Sequence, residues 1–315
     1  MDQADSATSA QDEQQSPGSE RAGRRRPSRR VSDLNYRRLG RPRIDAPPAI
    51  ELSVEGVRCR FYQPEGGPAE SGPLHVHAHG GGFVAGSADD LMTDALCARR
   101  VNESGVCLLS VDYRLAPEHP FPAGLDDVYR VILAALSDET AVQLGHDPAN
   151  VSVGGISAGG NLVAASLVLM GPAASTLRGA LLEVPALDLD LTHYPRQAPE
   201  LALYTPAVMQ YLPGGLKASL AKLRDPRVSP IEAPDLSHFP PSHLILAGRD
   251  PLTPGSLRFA DRLRAAGRPA QVQVVEGAIH AALSMDQVWP PAQRWHEDAA
   301  RAIAAFHGSP ARLKA

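Results

Sequence analysis

Val151-Ser152-Val153-Gly154-Gly155-Ile156-Ser157-Ala158-Gly159-Gly160-Asn161-Leu162-Val163-Ala164-Ala165 passes from an apolar run, through a turn of small residues, into a second apolar run. Val151–Ile156 reads as a buried strand and Ala158–Met170 as a helix. Ser157 stands at the joint, inside Gly155-x-Ser157-x-Gly159. A sharp strand-to-helix turn holds its central residue in a strained backbone conformation and lifts the side chain above the sheet. The neighbours must be small because their backbones crowd the turn. Ser157 also falls at a helix N-terminus, where the dipole favours developing negative charge. The bare motif is short, and a helix-capping serine at a glycine turn is the bland alternative. The strand and helix around it favour an activated hydroxyl.

Reading outward, strands and helices alternate. Ile50–Val54 and Arg58–Tyr62 read as early strands around Gly56. Leu74–His79, Val106–Tyr113, Ala180–Leu187, His243–Gly248 and Ala270–Val275 follow as strands. The helices expected between them are Asp89–Ser104, Pro122 to about Gly145, Ala158–Met170 and Pro254–Ala266, and Trp289–His307 closes the chain. Apolar strands alternating with helices call for a mostly parallel central sheet covered on both faces, the α/β class. Asp188–Phe239 interrupts the alternation as a long Pro-rich stretch, and such insertions are usually functional, for example as a lid. Residues 1–30 are polar and contain only Met1 as a large apolar residue, so they read as a disordered tail. Within them Arg24-Arg25-Arg26-Pro27-Ser28-Arg29-Arg30 is a dense basic run.

Composition narrows the function. The 315 residues are 43% hydrophobic and 21% charged, with formal net charge -4, as in a globular protein with a sizeable core. A dedicated nucleic-acid binder would carry a basic surplus. No stretch reads as the roughly 18–20 uninterrupted apolar residues of a membrane span, and the polar N-terminus lacks the apolar region of a secretory signal. The three cysteines, Cys59, Cys97 and Cys107, fit neither a disulfide framework nor a zinc site, which suits a cytoplasmic protein.

A serine nucleophile needs donors for the oxyanion, a base and an acid to orient that base. His79-Gly80-Gly81-Gly82-Phe83 follows a strand, and consecutive glycines leave backbone N–H groups free and open to close approach. Gly81 and Gly82, with Ala158, are the expected oxyanion donors. Asp250 and His280 each lie just past a strand end, the edge where open α/β sheets place their ligands. They are the expected acid and base. Asp126, Asp127 and Asp188 are weaker carboxylate candidates. His75, His77 and His79 alternate along one strand and could hold a metal, although no carboxylate or cysteine joins them; packed or hydrogen-bonded histidines are the simpler reading.

These residues together resemble the hormone-sensitive-lipase-like branch of the α/β-hydrolase fold, the bacterial HGGG esterases, over about residues 50 to 307. His79-Gly80-Gly81-Gly82-Phe83 with Gly86 is similar to the family's oxyanion motif. Asp112-Tyr113-Arg114-Leu115-Ala116-Pro117-Glu118 with Phe121-Pro122-Ala123 is similar to its most distinctive signature, and Ser157-Ala158-Gly159-Gly160, Asp250-Pro251-Leu252 and Pro240-Pro241 match as well. The resemblance implies an α/β-hydrolase domain over 31–315, with a small helical cap from about 31–50 and 188–225. It implies a serine carboxylic ester hydrolase with a Ser157-His280-Asp250 triad, acting on short-to-medium acyl esters without a cofactor. Its partner would be a small-molecule ester, not a nucleic acid, and a homodimer through a sheet edge is compatible with the fold. Cap residues Leu201, Leu203, Tyr204, Val208, Met209, Tyr211 and Leu212 are candidates for an apolar acyl site. Two positions depart from the family pattern: Ile156 stands where an acid often precedes the serine, and Ala281-Ala282 where Gly-Phe often follows the histidine. The same residues could serve a lyase, dehydratase or deacetylase of a specialised metabolite, and a non-catalytic ligand receptor is a further alternative.

Overall fold

The computed structural model describes residues 36–40, 47–67, 71–190, 193, 201–214 and 221–313, with 201–204 as backbone only. The expected tail and parts of both expected cap segments lie outside these residues. Eight strands form one sheet: β1 (Ile50–Val54), β2 (Val57–Tyr62), β3 (Gly72–Ala78), β4 (Cys107–Val111), β5 (His146–Ile156), β6 (Ala180–Glu183), β7 (Ser242–Ala247) and β8 (Ala270–Val275). Their order is β1-β2-β4-β3-β5-β6-β7-β8. From β4 to β8 all pairings are parallel, whereas β1–β2 and β2–β4 are antiparallel. The hairpin that joins β1 to β2 turns at Glu55-Gly56, both at positive φ.

Among the described residues these helices flank the sheet: α1 (Leu91–Ser104), α2 (Ala123–Ala135), α3 (Asp138–Leu144), α4 (Ala158–Met170), α5 (Leu201–Tyr211), α6 (Thr253–Ala265) and α7 (Pro290–Phe306). Side chains of α2, α4 and α6 share one apolar core with one face of the sheet, and those of α1 and α7 share a second with the other. Helix α4 is buried nearly all round. With the 3₁₀ turn through Thr176 it forms a 19-residue run of mean hydropathy 1.3, apolar enough by length and composition to cross a membrane, but two thirds of that stretch is packed inside the protein. It is the core helix that carries Ser157.

Three elements differ from the sequence expectation. The single helix expected from Pro122 breaks at Ser137, whose hydroxyl accepts from the Thr140 N–H and starts α3; Gly145 ends α3 in a left-handed conformation. The strand expected to reach Leu187 ends at Glu183, because Val184 turns to φ 38° and Pro185 has no N–H to continue the ladder. The irregular stretch after Asp188 contains α5, a helix with Pro206 inside it. Helix α5 docks through Tyr211, which stacks on Phe83 at 3.9 Å and meets Phe121 edge-on at 5.7 Å. Its carbonyl accepts from the Phe121 N–H at 2.8 Å.

One ion pair is fully buried between the sheet and the α1–α7 layer. Arg100 Nη2 donates to Glu183 Oε2 at 2.6 Å, and Trp295 Nε1 donates to the same oxygen at 2.8 Å. Both charged side chains are 0% exposed.

Candidate active site

Ser157 sits at the end of β5 with φ 56° and ψ -115°, the strained turn expected from the sequence. Its N–H donates to the Glu183 carbonyl at 2.9 Å, and its carbonyl accepts from Asn161 and Ala186. The crowding is real at Gly155, where a Cβ would lie 2.5 Å from the Gly159 carbonyl carbon.

Asp250 follows β7 and His280 follows β8, so parallel pairing of these strands carries both to the rim where β5 ends. His280 Nδ1 lies 2.6 Å from Asp250 Oδ2, and Nε2 lies 2.8 Å from Ser157 Oγ. The Asp250 carboxylate can only accept, so Nδ1 carries the proton and Nε2 is left to accept from the Ser157 hydroxyl. The second carboxylate oxygen of Asp250 accepts from the Leu252 N–H at 3.0 Å, which fixes the plane of the acid. The Asp250 side chain is fully buried and that of His280 is 22% exposed.

The glycine loop lies against the serine, since a Cβ on Gly80 would stand 3.7 Å from Ser157 Cβ. Gly81 has φ 128° and Gly82 φ 61°, and the Gly81 carbonyl accepts from Val84 and Ala85 to close the turn. Among the described residues the N–H groups of Gly81, Gly82 and Ala158 donate to no protein carbonyl. His79 braces this loop: its ring stacks on Tyr113 at 4.2 Å, its Nδ1 lies 2.7 Å from the Gly80 carbonyl oxygen, and the Tyr113 hydroxyl donates to the His79 carbonyl at 2.8 Å. Asp112, next to Tyr113, accepts from the Ala88 N–H and from Arg58. Arg114 donates from Nε and Nη2 to the two carboxylate oxygens of Asp127, each at 2.9 Å. The signature stretch is thus a brace for the glycine loop.

The other candidates are engaged elsewhere. Burial alone would raise the Asp127 pKa, but hydrogen bonds from Arg114 and Arg130 outweigh it and hold the carboxyl below its usual range. Asp188 pairs with Arg258 at 2.6 Å and with His193 at 3.0 Å. Asp126 is exposed in the first turn of α2. The three strand histidines are not a metal cluster: among the described residues no group of three or more His, Cys, Asp or Glu side chains is placed to hold an ion. Burial pushes His75 and His77 well below the usual histidine range, so both are neutral at pH 7.

A cavity of about 20 Å³ opens beside Ser157, between Phe83, Ala186, Leu189, Ala207, Val208 and Leu252. Of the cap residues singled out in the sequence whose side chains are described, only Val208 lines it. Tyr211 and Leu212 are buried against the body, and the side chains of Leu201, Leu203 and Tyr204 lie outside the described residues. Ala186, Leu189 and Leu252 had no sequence signal as a set, because two separate loops, after β6 and after β7, bring them together. Asn161 is a further residue the motif reading passed over. Its side-chain N–H₂ donates to the Ala186 and Val228 carbonyls at 2.6 and 2.8 Å, and so ties the cavity wall to α4.

A family model described as the alpha/beta hydrolase fold matches residues 75–284, the span that holds the glycine loop, Ser157, Asp250 and His280. The chain belongs to the α/β-hydrolase fold family. The hormone-sensitive-lipase-like resemblance led to the same family from the motifs alone. Among its relatives in this α/β-hydrolase family are carboxylic ester hydrolase LipN of Mycobacterium tuberculosis, 34% identical over 76% of this chain, and an arylesterase of Saccharolobus solfataricus, 34% identical over 74%. The matched region spans 65% of LipN and 75% of the arylesterase. A solved structure of the Pyrobaculum calidifontis esterase is 31% identical and superposes with TM-score 0.75, covering 89% of this chain and 92% of the other. These relatives agree with the expected enzyme class, a serine ester hydrolase.

Proposed function

We propose that this α/β-hydrolase cleaves carboxylic esters of small acyl groups by a two-step acyl transfer through Ser157. His280 Nε2 takes the Ser157 proton as Oγ attacks the ester carbonyl, and Asp250 stabilises the imidazolium that forms. The oxyanion is met by the N–H groups of Gly81, Gly82 and Ala158. His280 returns the proton to the departing alkoxide, leaving the acyl group on Ser157. Water, deprotonated by the same imidazole, then releases the carboxylic acid. No metal or organic cofactor is needed at any step.

The observation that carries this reading is the continuous hydrogen-bonded chain Asp250–His280–Ser157, with Ser157 facing an apolar cavity. The apolar lining of the cavity, with Phe83, Ala186, Leu189, Val208 and Leu252, supports an uncharged acyl group beside Ser157. The names of the relatives support ester hydrolysis over elimination from a specialised metabolite. The test is Ser157→Ala with 4-nitrophenyl acetate and butyrate: kcat should fall by more than about 10⁴-fold with folding unchanged. Activity kept at the parent level would refute the serine assignment. Labelling of Ser157 by a fluorophosphonate without turnover of any simple ester would favour the elimination chemistry instead.

A further inference from the structure

Ser157 is joined to one short neighbouring segment through both of its main-chain polar groups. Its N–H donates to the Glu183 carbonyl at 2.9 Å, and its carbonyl accepts from the Ala186 N–H at 3.2 Å. A residue at φ 56° and ψ -115° keeps that conformation only where its surroundings over-determine it. The placement of residues 183–186 therefore sets the placement of Ser157 Oγ, which stands 2.8 Å from His280 Nε2.

That segment is tied down from both faces of the sheet. On the α4–α6 face the Asn161 side chain donates to the Ala186 carbonyl at 2.6 Å, and Ser256 Oγ donates to the Pro185 carbonyl at 3.0 Å. On the α1–α7 face the anchor is the Glu183 side chain. Its Oε2 accepts from Arg100 of α1 at 2.6 Å and from Trp295 of α7 at 2.8 Å. All three side chains are fully buried, and no step of the proposed reaction uses them. As a source of stability this ion pair is poorly compensated: Arg100 Nε and Nη1 and Glu183 Oε1 have no hydrogen-bond partner among the described residues. Such a pair is often no more stabilising than apolar side chains of the same volume. What it adds is direction, because one carboxylate oxygen held by donors from two helices has a single place to stand.

We infer that Arg100 and Trp295 are positioning residues for the nucleophile, acting through Glu183. Its side chain is clamped on one face of the sheet, and its carbonyl at the same position holds the Ser157 N–H. Neither Arg100 nor Trp295 touches the substrate. Loosening the clamp lets the Glu183 carbonyl drift, and Ser157 drifts with it off the line to His280. A misplacement of about 1 Å in a reacting group costs on the order of 10²-fold in rate. The inference rests on the acyl-transfer reading for what Ser157 does, but not for how Ser157 is held.

The test follows two rates in the full chain: kcat for 4-nitrophenyl acetate, and the rate at which a fluorophosphonate labels Ser157. Arg100→Met with Glu183→Gln removes the clamp and leaves no unpaired buried charge. It should lower kcat and kcat/KM together by about 10- to 100-fold, with KM within about threefold of the parent. Labelling should slow by the same factor yet still reach one label per chain, which shows that every molecule is folded. Trp295→Phe keeps the ring and loses only the N–H donor; both rates should fall about 3- to 10-fold. This variant decides the matter alone if the double variant does not fold. Ile303→Ala is the control. It empties space in the same buried layer, about two turns along α7 from Trp295, and should lower the urea midpoint while both rates stay within about twofold of the parent. Rates within about twofold of the parent in Trp295→Phe and in the folded double variant overturn the inference. So does an Ile303→Ala enzyme slowed as much as the double variant. Failure of the hydrolase reading would show differently, as a parent that is labelled at Ser157 but turns over no ester; the labelling rates would then still test the clamp.

Discussion

Gly81→Ala is the perturbation that separates the glycine loop from every other part of the machinery. A Cβ at residue 81 would lie 2.5 Å from the Ala85 carbonyl carbon and closer still to its oxygen. Real Cβ contacts of this kind are not found under 3.0 Å, and the obstacle is backbone, so the loop must shift by on the order of 1 Å. The φ of 128° adds strain of about 1–3 kcal/mol for any residue with a Cβ. Ser157, His280 and Asp250 lie on other segments and stay in register, so Ser157 should still react with a fluorophosphonate, if more slowly. Losing one well-placed oxyanion donor typically costs about 10²–10³ in kcat, so kcat for 4-nitrophenyl acetate should drop by that factor with KM changed only severalfold. Gly56→Ala is the control. Gly56 also has positive φ, but a Cβ added there, in the β1–β2 turn, would meet no atom within 4 Å. This variant should lose about 1 kcal/mol of stability and keep its kcat. A Gly81→Ala enzyme with kcat within about fivefold of the parent would refute the assignment of this loop to the oxyanion.

Leu189→Ala should enlarge the cavity beside Ser157 and shift kcat/KM from acetate towards hexanoate by about 10-fold in ratio, measured on a 4-nitrophenyl ester series; an unchanged ratio would place the acyl group elsewhere. Arg100→Met strands Glu183 as an unpaired buried charge and should cost about 3–5 kcal/mol in urea unfolding, part of which Arg100→Met with Glu183→Gln should recover. A loss below about 1 kcal/mol would contradict the burial of this pair. Burial and the nearby Arg178 push His307 down to about 4, and it shares Ser152 Oγ with His75. Above about pH 6.5 the residue is neutral folded or unfolded. Between there and about pH 4 the unfolded chain takes up the proton first, so stability should fall as pH falls through that window, and His307→Gln should flatten the fall.

Much of the fold was legible because its signals are local. The Val151–Ile156 strand, the small residues around Ser157 and the apolar helix after it depend on neighbours in sequence, and all three are found. Asp250 and His280 were legible for a related reason: each follows a strand, and parallel strands end on the same rim. The errors were local too. Ser137 caps a new helix inside an unbroken apolar period, and Val184-Pro185 ends a strand whose composition continues it.

What the sequence by itself determined, then, is the alternation of strand and helix, the strained turn at Ser157 and the three side chains at strand ends, because short-range periodicity and turn chemistry encode them. Tertiary structure alone decided which segments wall the cavity, and that Arg100 and Glu183 share a buried bond. Those pairings join residues tens to more than a hundred positions apart. Their partners are chosen by the packing of helices on both faces of the sheet, and no run of neighbouring residues carries that information.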